Sequence, residues 1–550
     1  MITRAAPIVA LAAGAFAAGA VLAAAPGHDE HRLVARYVSA WERGDVSRMY
    51  SLLDSRARRV TPEASFARQL KAAAGTATAS SMRVLTVGHR QGATLPVRMQ
   101  VSTRLWGVLD ETLEVPLSGQ GSSARVRLLP QLLFPGLRAG ERLHRQLRLP
   151  PRATILASDG EPLAQGPNRT SPISDVALQV VGTLGPVPRD QAASYAALGY
   201  PPGAKVGLDG LERILQRRLV GRVGGVLLAG HRRLATAVPR KAPAVRTTIV
   251  PRLERATVSA MGGQYAGMTV IDPYTGGIEA LGGVAFSAVQ PPGSTMKIIT
   301  ASAALAAGIV KLSTTFPVAT SADIDGFNLQ NANGEACGGT LLNAFAVSCN
   351  SVFAPLGAKL GGARLVAMAE RYGFNRPSPV PGAPESTIPS ARKIGNALSV
   401  GSSAIGQGLV QTNSLQMADV AATVAMGGRR PILTLLAHQR PRFVRVIPPG
   451  VANEVQRMMV AVVDFGTGTS AQIPGVTVAG KTGTAELRDT ATDAPGGGSD
   501  DPQNTDAWFT GYAPVGDPRV VVGALFPNQG AGGQAAAPPV RDVIATALHH

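Results

Sequence analysis

The sequence predicts a multidomain α+β protein that begins with a membrane anchor. The chain has 550 residues, and at roughly 150 residues per domain this length gives three or four domains. Hydrophobic residues make up 45% and charged residues 16% of the chain, so most of it should be folded. Stretches with helical periodicity are followed by stretches with strand alternation, which favours an α+β arrangement.

The predicted anchor takes residues 1–27. Only Arg4 and the amino terminus precede an apolar run from Ala5 to Ala25, and about 20 apolar residues can span a bilayer. The small residues that end this run also fit a signal-peptide cleavage site, but Pro26 directly afterwards favours a retained anchor. Because Arg4 lies on the short side, we expect a single anchor in the cell membrane and the remaining chain on the extracellular side.

Residues 28–149 have the pattern of a small α+β domain. The stretch from Glu30 to Leu53 is amphipathic, and a second helical segment follows from Pro62 to Ala73. Short alternating runs then indicate strands at 95–101 and 113–117.

Residues 150–244 are basic and are interrupted by Gly and Pro. Their basic residues include Arg213, Arg217, Arg218, Arg222, Arg232, Arg233, Arg240 and Lys241. No aromatic residue lies among these, which disfavours a nucleic-acid surface. With a net charge of +18, we expect the exported chain to face anionic lipid or wall polymer and to have no nucleic-acid partner.

Residues 245–550 change to longer apolar strands and helices. Thr269–Ile271 and Ile278–Leu281 flank a turn-forming segment and predict a hairpin. Ser294 and Lys297 then open a helical run that ends at Gly308.

Ser294 and Lys297 are candidates for nucleophilic chemistry. Three residues apart, they share one helix face within side-chain reach. A serine needs a base to take its proton, and a lysine with a lowered pKa in a dry site can serve. Backbone N–H groups at a helix start can stabilise an oxyanion. Ser-x-x-Lys alone arises by chance about once in such a chain, as Ser390-Ala-Arg-Lys393 illustrates.

Two further motifs support the first. Ser348-Cys349-Asn350 follows it, and Lys481-Thr482-Gly483, followed by Thr484, comes later. A Lys-Thr-Gly triplet occurs by accident in only about one such chain in ten. The three motifs in this order are the signature set of penicillin-binding proteins and serine β-lactamases. Ser390 does not fit, because it follows the Ser-x-Asn motif.

The chain resembles class B penicillin-binding proteins, the D,D-transpeptidases that cross-link peptidoglycan. Beside the motifs, "TVIDPYTGGIEALGG", "AIGQGLVQTNSLQMADVAATVAMGG" and "DAWFTGYAP" are similar to core segments of that family. The resemblance implies a pedestal of the penicillin-binding protein dimerisation type at 150–244. It also implies a penicillin-binding/serine β-lactamase-like transpeptidase domain, an antiparallel sheet flanked by helices, at 245–550.

The amino-terminal domain and the linker carry weaker signals. "AWERGDVSRMYSLL" resembles the opening of NTF2-like domains, which precede the catalytic part in penicillin-binding proteins of the methicillin-resistance type. The family's linker signature is altered here, with Ala157-Ser158 in place of its Asp-Arg pair.

The segment Asp489–Asp506 is longer than a tight hairpin needs, and we expect a surface loop beside the site, with a gate as the alternative.

The resemblance implies a catalytic role for four residues. Ser294 attacks the D-Ala–D-Ala carbonyl and forms an acyl-enzyme, with Lys297 as the base. Ser348 relays a proton toward the leaving amine, and Asn350 binds the peptide group of the substrate. The reaction is a two-step acyl transfer that needs no cofactor and no metal.

The resemblance also implies a binding role for the third motif. Lys481 supplies a positive field, and Thr482, Gly483 and Thr484 bind the substrate, with the two threonines receiving its terminal carboxylate. The N–H groups of Ser294 and Thr484 form the oxyanion hole. The expected partners are D-Ala-D-Ala stem peptides of peptidoglycan, penicillin and other β-lactams, the membrane, and other cell-wall synthesis proteins.

The chain has only two cysteines, which excludes a disulfide scaffold and cysteine-rich metal modules. Cys337 and Cys349 can form a disulfide in an oxidising exterior, but the sequence does not supply the required geometry, so both states stay open. His28 and His31 are expected in a solvated stretch near the anchor rather than in a metal site.

Two other function classes remain alternatives to the transpeptidase. The same fold serves D,D-carboxypeptidases and β-lactamases, which differ in the acceptor of the acyl group. A non-catalytic β-lactam or muropeptide sensor, or a scaffold in a cell-wall complex, would keep the same motifs. The large amino-terminal extension favours the transpeptidase, because such modules hold a catalytic domain away from the membrane.

Overall fold

The computed structural model describes residues 28–487 and 502–549. The predicted anchor at 1–27 and most of the predicted loop at 489–506 therefore lie outside the described residues. The chain forms two compact units. The amino-terminal unit comprises residues 28–152, Pro186–Lys205 and Val220–Ala242, and the carboxy-terminal unit comprises Ala153–Gly185, Val206–Leu219 and residues 243–549.

The amino-terminal unit begins with four helices and a four-stranded antiparallel sheet of order β1-β2-β3-β4. Its first elements are α1 (His28–Glu42), α2 (Val46–Ser51), α3 (Ser55–Val60), α4 (Glu63–Ala77), β1 (Ala79–Val87), β2 (Thr94–Thr103), β3 (Gly107–Ser118), β4 (Arg125–Val126) and β5 (Leu143–Arg148). The amphipathic stretch predicted from Glu30 to Leu53 is two helices. The chain breaks there because Asp45 caps α2, its carboxylate accepting a hydrogen bond of 2.9 Å from the N–H of Arg48.

The apolar face of α1 packs into the core of this unit. Leu33, Val34, Tyr37 and Val38 are buried there against alternate residues of β2 and β3. The helix is therefore amphipathic, as the periodicity of this stretch predicts.

The middle of the chain contributes short elements to both units. They are β6 (Ile155–Leu156), β7 (Pro162–Ala164), α5 (Ser174–Val180), β8 (Leu184–Pro186), α6 (Ala192–Ala197), β9 (Lys205–Gly207), α7 (Gly210–Ile214), α8 (Gln216–Leu219), β10 (Gly224–Ala229), β11 (Arg232–Ala237) and β12 (Val245–Arg246). In the amino-terminal unit β10 pairs with both β5 and β11. In the carboxy-terminal unit β6 pairs with β7 and β12.

The predicted segment 150–244 is therefore not one compact unit. The physical reason is the pairing of β5 with β10, which joins strands on either side of the predicted boundary at 149/150. Such pairing depends on contacts between distant residues, which local sequence patterns do not reveal.

The carboxy-terminal unit contains the remaining elements. They are α9 (Pro251–Ala260), β13 (Gly267–Asp272), β14 (Gly277–Gly283), α10 (Lys297–Ala306), β15 (Thr315–Ala319), β16 (Ser321–Ile324), β17 (Phe327–Gln330), β18 (Cys337–Thr340), α11 (Leu341–Ala346), α12 (Asn350–Leu360), α13 (Gly362–Arg371), α14 (Ala391–Ile394), α15 (Ala397–Ala404), α16 (Ser414–Ala425), β19 (Arg429–Pro431), β20 (Phe443–Arg445), α17 (Pro449–Asp464), β21 (Ala479–Glu486), β22 (Thr505–Ala513), β23 (Val520–Phe526), α18 (Gly532–Ala535) and α19 (Ala537–Leu548). The chain as a whole is a mixed α+β protein.

A five-stranded antiparallel sheet of order β14-β13-β23-β22-β21 forms the centre of this unit. One face of the sheet packs against α9 and α19 in an apolar core. The other face meets α16, where Thr269 Oγ1 lies 3.1 Å from Ser414 Oγ and Thr510 Oγ1 donates to the Met417 carbonyl at 2.8 Å. Because both faces are covered, the residues of β22 and β23 are buried throughout.

The predicted hairpin is confirmed, since β13 and β14 are antiparallel partners. Within the described residues, no single helix has the length and hydropathy needed to cross a membrane, and α12 and α13 meet these criteria only jointly, across a bend of 99°.

Candidate active site

Ser294 lies on a 3-10 turn, Gly293–Met296, that leads directly into α10. Gly293 has a φ of 50°, and a Cβ on it would lie 2.6 Å from the Thr484 carbonyl oxygen. Glycine therefore lets the turn pack closely against β21. The side chain of Ser294 is partly exposed, and among the described residues it has no hydrogen-bond partner.

Lys297 is fully buried at the start of α10. Its Nζ donates to the Ser348 carbonyl at 2.6 Å and to Asn350 Oδ1 at 2.7 Å, and it lies 3.3 Å from Ser348 Oγ. The Phe353 ring lies over the amine, with its centroid 5.7 Å from Nζ. These contacts join the first predicted motif to the second.

Ser348 stands between α11 and α12 with a φ of 61°. Its hydroxyl oxygen accepts a hydrogen bond of 2.9 Å from Lys481 Nζ, while Lys297 Nζ lies 3.3 Å away. One serine hydroxyl thus lies between two buried lysines, and it can pass a proton between them.

Lys481 is fully buried on β21, an edge strand of the central sheet. Besides its bond to Ser348, its Nζ donates to the Thr482 carbonyl at 3.0 Å. A Cβ on Gly483 would lie 2.8 Å from the Pro292 carbonyl oxygen. The strand and the turn of Ser294 can therefore meet only because residue 483 has no side chain.

Burial determines the charge of the two lysines. Removal from water lowers the pKa of Lys297 well below its usual range, and the charge of Lys481 lowers it further. Burial also lowers the pKa of Lys481 to about 7. A neutral amine has two N–H groups, and the two shortest contacts of Lys297 account for them. The lowered pKa favours the neutral amine of Lys297, which is the form that can accept a proton.

The structure brings all eight predicted residues of the three motifs to one place in the carboxy-terminal unit. Thr484 is partly exposed, and its Oγ1 accepts a hydrogen bond from the Gly532 N–H at 3.4 Å. Gly293 lies close to the Thr484 carbonyl. Ser294, on the same turn as Gly293, is therefore a neighbour of Thr484 on β21. These are the two residues predicted for the oxyanion hole. Cys337 and Cys349 form a disulfide directly beside Ser348 and Asn350.

Thr467 also belongs to the site, although it lies outside the three sequence motifs. Its Oγ1 lies 2.5 Å from Thr482 Oγ1, and its N–H donates to the Ala346 carbonyl at 3.1 Å. It therefore connects the third motif to the helix that precedes Ser348. Its one signal in the sequence is a position between two glycines shortly before Lys481.

A serine on the turn that leads into α10, with a buried lysine of lowered pKa at the start of that helix, is typical of serine acyl-transfer sites, in which the lysine activates the nucleophile. Residues 266–545 match the penicillin binding protein transpeptidase domain, and residues 163–230 match the penicillin-binding protein dimerisation domain. The first match covers about half of the chain, and the chain belongs to the penicillin-binding protein transpeptidase family.

Three known proteins illustrate this relationship. The chain is 36% identical over 291 residues to the peptidoglycan D,D-transpeptidase PbpA of Mycolicibacterium smegmatis, an alignment that covers 48% of this chain and 56% of that protein. The chain thus spans little more than half the length of this relative. A structure of penicillin-binding protein A from Mycobacterium tuberculosis, a penicillin G acyl-enzyme complex, is 27% identical with a TM-score of 0.57, covering 72% of this chain and 99% of that one. Pseudomonas aeruginosa PBP2 shares the fold at 22% identity, with a TM-score of 0.62 over 74% of this chain and 97% of that one.

Proposed function

We propose that the chain is a membrane-anchored serine D,D-transpeptidase, which cross-links peptidoglycan stem peptides through an acyl-enzyme on Ser294 and is acylated there by β-lactams. The observation that carries the proposal is the position of the Ser348 hydroxyl, which lies 2.9 Å from Lys481 Nζ and 3.3 Å from Lys297 Nζ. Two buried lysines at one hydroxyl can move protons between these groups, and buried groups with shifted pKa values cluster at functional sites.

In the first step Ser294 Oγ attacks the carbonyl carbon of the D-Ala–D-Ala bond. The neutral amine of Lys297 takes the hydroxyl proton as the new C–O bond forms. The C–N bond then breaks, and the leaving nitrogen receives a proton through the Ser348 hydroxyl. Terminal D-Ala departs as an amine, and the acyl group remains on Ser294.

In the second step the amine of another stem peptide attacks the acyl-enzyme. The amine loses one proton, Ser294 Oγ regains one, and a peptide cross-link replaces the ester. If water attacks in place of the amine, the product is the free acid, and the enzyme is a carboxypeptidase or, with a β-lactam as substrate, a β-lactamase.

The substrate is proposed to bind along β21. Among the described residues no strand pairs with the outer edge of β21, so its backbone groups can pair with an extended peptide. Lys481, with Thr482 and Thr484, would receive the terminal carboxylate. Asn350, whose Oδ1 accepts from Lys297, would use its amide group to bind the peptide. The penicillin G complex of the M. tuberculosis relative supports the same site for β-lactams.

The remaining parts of the chain are proposed to present this site outside the cell. The apolar run Ala5–Ala25 would anchor the protein in the cell membrane. Four helices and an antiparallel sheet between residues 28 and 126 are compatible with an NTF2-like spacer domain. The Cys337–Cys349 disulfide suits an oxidising exterior. Other cell-wall synthesis proteins are proposed as partners.

The test is acylation of the full-length chain, in detergent, by a fluorescent penicillin, with Ser294→Ala as the matched control. We expect a label that requires Ser294 and persists for many minutes. A stem peptide offered with an acceptor amine should then yield the cross-linked product. A label that clears within seconds would indicate a β-lactamase, and a stable label without turnover of any stem peptide would indicate a sensor.

A second prediction concerns Thr467, which we expect to orient the Thr482 hydroxyl toward the substrate carboxylate. Thr467→Val keeps the side-chain shape and removes the hydroxyl. Because one hydrogen bond contributes about 0.5–1.5 kcal/mol, the second-order rate constant of acylation should fall by about 2–12-fold. The measurement is the time course of labelling at several drug concentrations. Thr469→Val is the control, since Thr469 is also exposed in this segment, and an equal loss in both variants would contradict the prediction.

A further inference from the structure

The first turn of α12 carries Asn350 but has no cap from its own N-cap residue. That residue is Cys349, whose sulfur is bonded to Cys337 and whose side chain caps no backbone N–H of the helix. The first N–H groups of a helix have no partner within the helix and must find one elsewhere. A helix that positions a site residue would otherwise fray at the position where order is needed.

Asn331 supplies this cap from 20 residues upstream. Its Oδ1 accepts a hydrogen bond of 2.7 Å from the N–H of Ser351, in the first turn of α12. Its Nδ2 donates to the carbonyls of Ala319 and Glu335, both at 2.8 Å. Asn331 is only 6% exposed, so its amide is held in one orientation with both its donor and acceptor groups in use.

The residue before Asn331 contacts Asn350 itself. The Gln330 carbonyl accepts a hydrogen bond of 3.3 Å from Asn350 Nδ2. The opposite end of the same amide, Oδ1, accepts from Lys297 at 2.7 Å. Residues 330 and 331 thus form hydrogen bonds with the first two residues of α12. One of these two residues is Asn350, whose Oδ1 accepts a short hydrogen bond from Lys297.

We propose that Asn331 is a positioning residue for the Ser348–Asn350 motif, acting as the cap of α12 that Cys349 cannot provide. Its effect on catalysis rests on the proposed function, whereas its effect on α12 does not. Loss of the Asn331 side chain frees the Ser351 N–H and loosens the first turn. Asn350 Oδ1 then no longer meets Lys297 in one fixed geometry.

Three variants of the full-length chain test this role. Asn331→Ala removes the whole cap, and Asn331→Asp keeps the acceptor oxygen for the Ser351 N–H. Asn396→Ala is the matched control: Asn396 is exposed and caps α15 in the same way, accepting from the Ser399 N–H at 2.9 Å. The helix α15 carries none of the predicted site residues.

Two measurements are made on each variant: amide hydrogen exchange by mass spectrometry, and the second-order rate constant of acylation by fluorescent penicillin. Asn331→Ala should speed exchange in the first turn of α12 and slow acylation by at least tenfold. Asn331→Asp should keep that turn protected and recover part of the rate. Asn396→Ala should speed exchange only in α15 and change the acylation rate by less than twofold.

Different results would contradict the proposed role of Asn331 and the proposed function of the chain. Wild-type exchange rates in α12 of Asn331→Ala would overturn the cap, and a wild-type acylation rate despite faster exchange would overturn its positioning role. If the wild-type chain is not acylated at all, the proposed function fails, while the exchange data still decide whether Asn331 caps α12.

Discussion

Replacing Lys297 by methionine should slow acylation of Ser294 by about 10³–10⁴-fold, because general-base catalysis contributes up to roughly that factor. Lys297 is fully buried, and burial lowers its pKa well below the usual range, which favours the neutral amine that the proposed base needs. Methionine matches the length of the side chain and suits the buried position but cannot take a proton. The measurement is the rate of labelling by a fluorescent penicillin in wild type and variant.

A pH series of unfolding experiments is the control for this variant. The pKa of Lys297 is lower in the folded chain than in the unfolded chain, where a lysine titrates near about 10.4. At this residue the unfolded chain therefore binds more protons, so Lys297 contributes a rise in wild-type stability with pH that ends at about pH 10. The Lys297→Met variant lacks this contribution, so its stability should rise less steeply between pH 7 and 10. Equal slopes would mean that Lys297 is charged in the folded protein, contrary to its proposed role as the base.

Local patterns in the sequence predict the identity of the site and the elements that carry it. The order of Ser294, Ser348 and Lys481 along the chain is enough to name the three motifs, because short motifs of this kind specify chemistry through residue type. Alternation and periodicity predict β13, β14 and the helix after Ser294. The predicted helix after Ser294 differs from the structure at its start, because Ser294 is on a 3-10 turn and the α-helix begins at Lys297.

Contacts between distant segments could not be predicted in this way. Asn331 and Thr467 each bond to a motif residue or its neighbour across the fold, and neither belongs to a motif that a single sequence reveals. The pairing of β5 with β10 likewise depends on which strands meet in three dimensions. Burial, which sets the charge of Lys297, follows from packing rather than from the residues beside it.

Replacing Ser348 by alanine should slow acylation by about 10²-fold, because proton transfer by a positioned side chain contributes about 10²–10⁴-fold. The Ser348 hydroxyl accepts from Lys481 at 2.9 Å and lies 3.3 Å from Lys297. Alanine removes this link and leaves both lysines in place. The leaving nitrogen then lacks the hydroxyl proposed to supply its proton, so the tetrahedral adduct returns to substrate more often than it forms the acyl-enzyme. The rate of labelling is again the measurement.

Ser348→Gly is the matched control, because Ser348 has a φ of 61°. Glycine takes this conformation without the strain of a Cβ, which costs roughly 1–2 kcal/mol, whereas alanine retains it. The glycine variant should therefore be at least as stable to heat as the alanine variant, and yet lose acylation to the same extent. A rate in Ser348→Gly near that of wild type would show that the backbone conformation matters and the hydroxyl does not. Equal losses in two variants of unequal stability would assign the effect to the missing hydroxyl rather than to stability, as the proposed proton path between Lys297 and Lys481 requires.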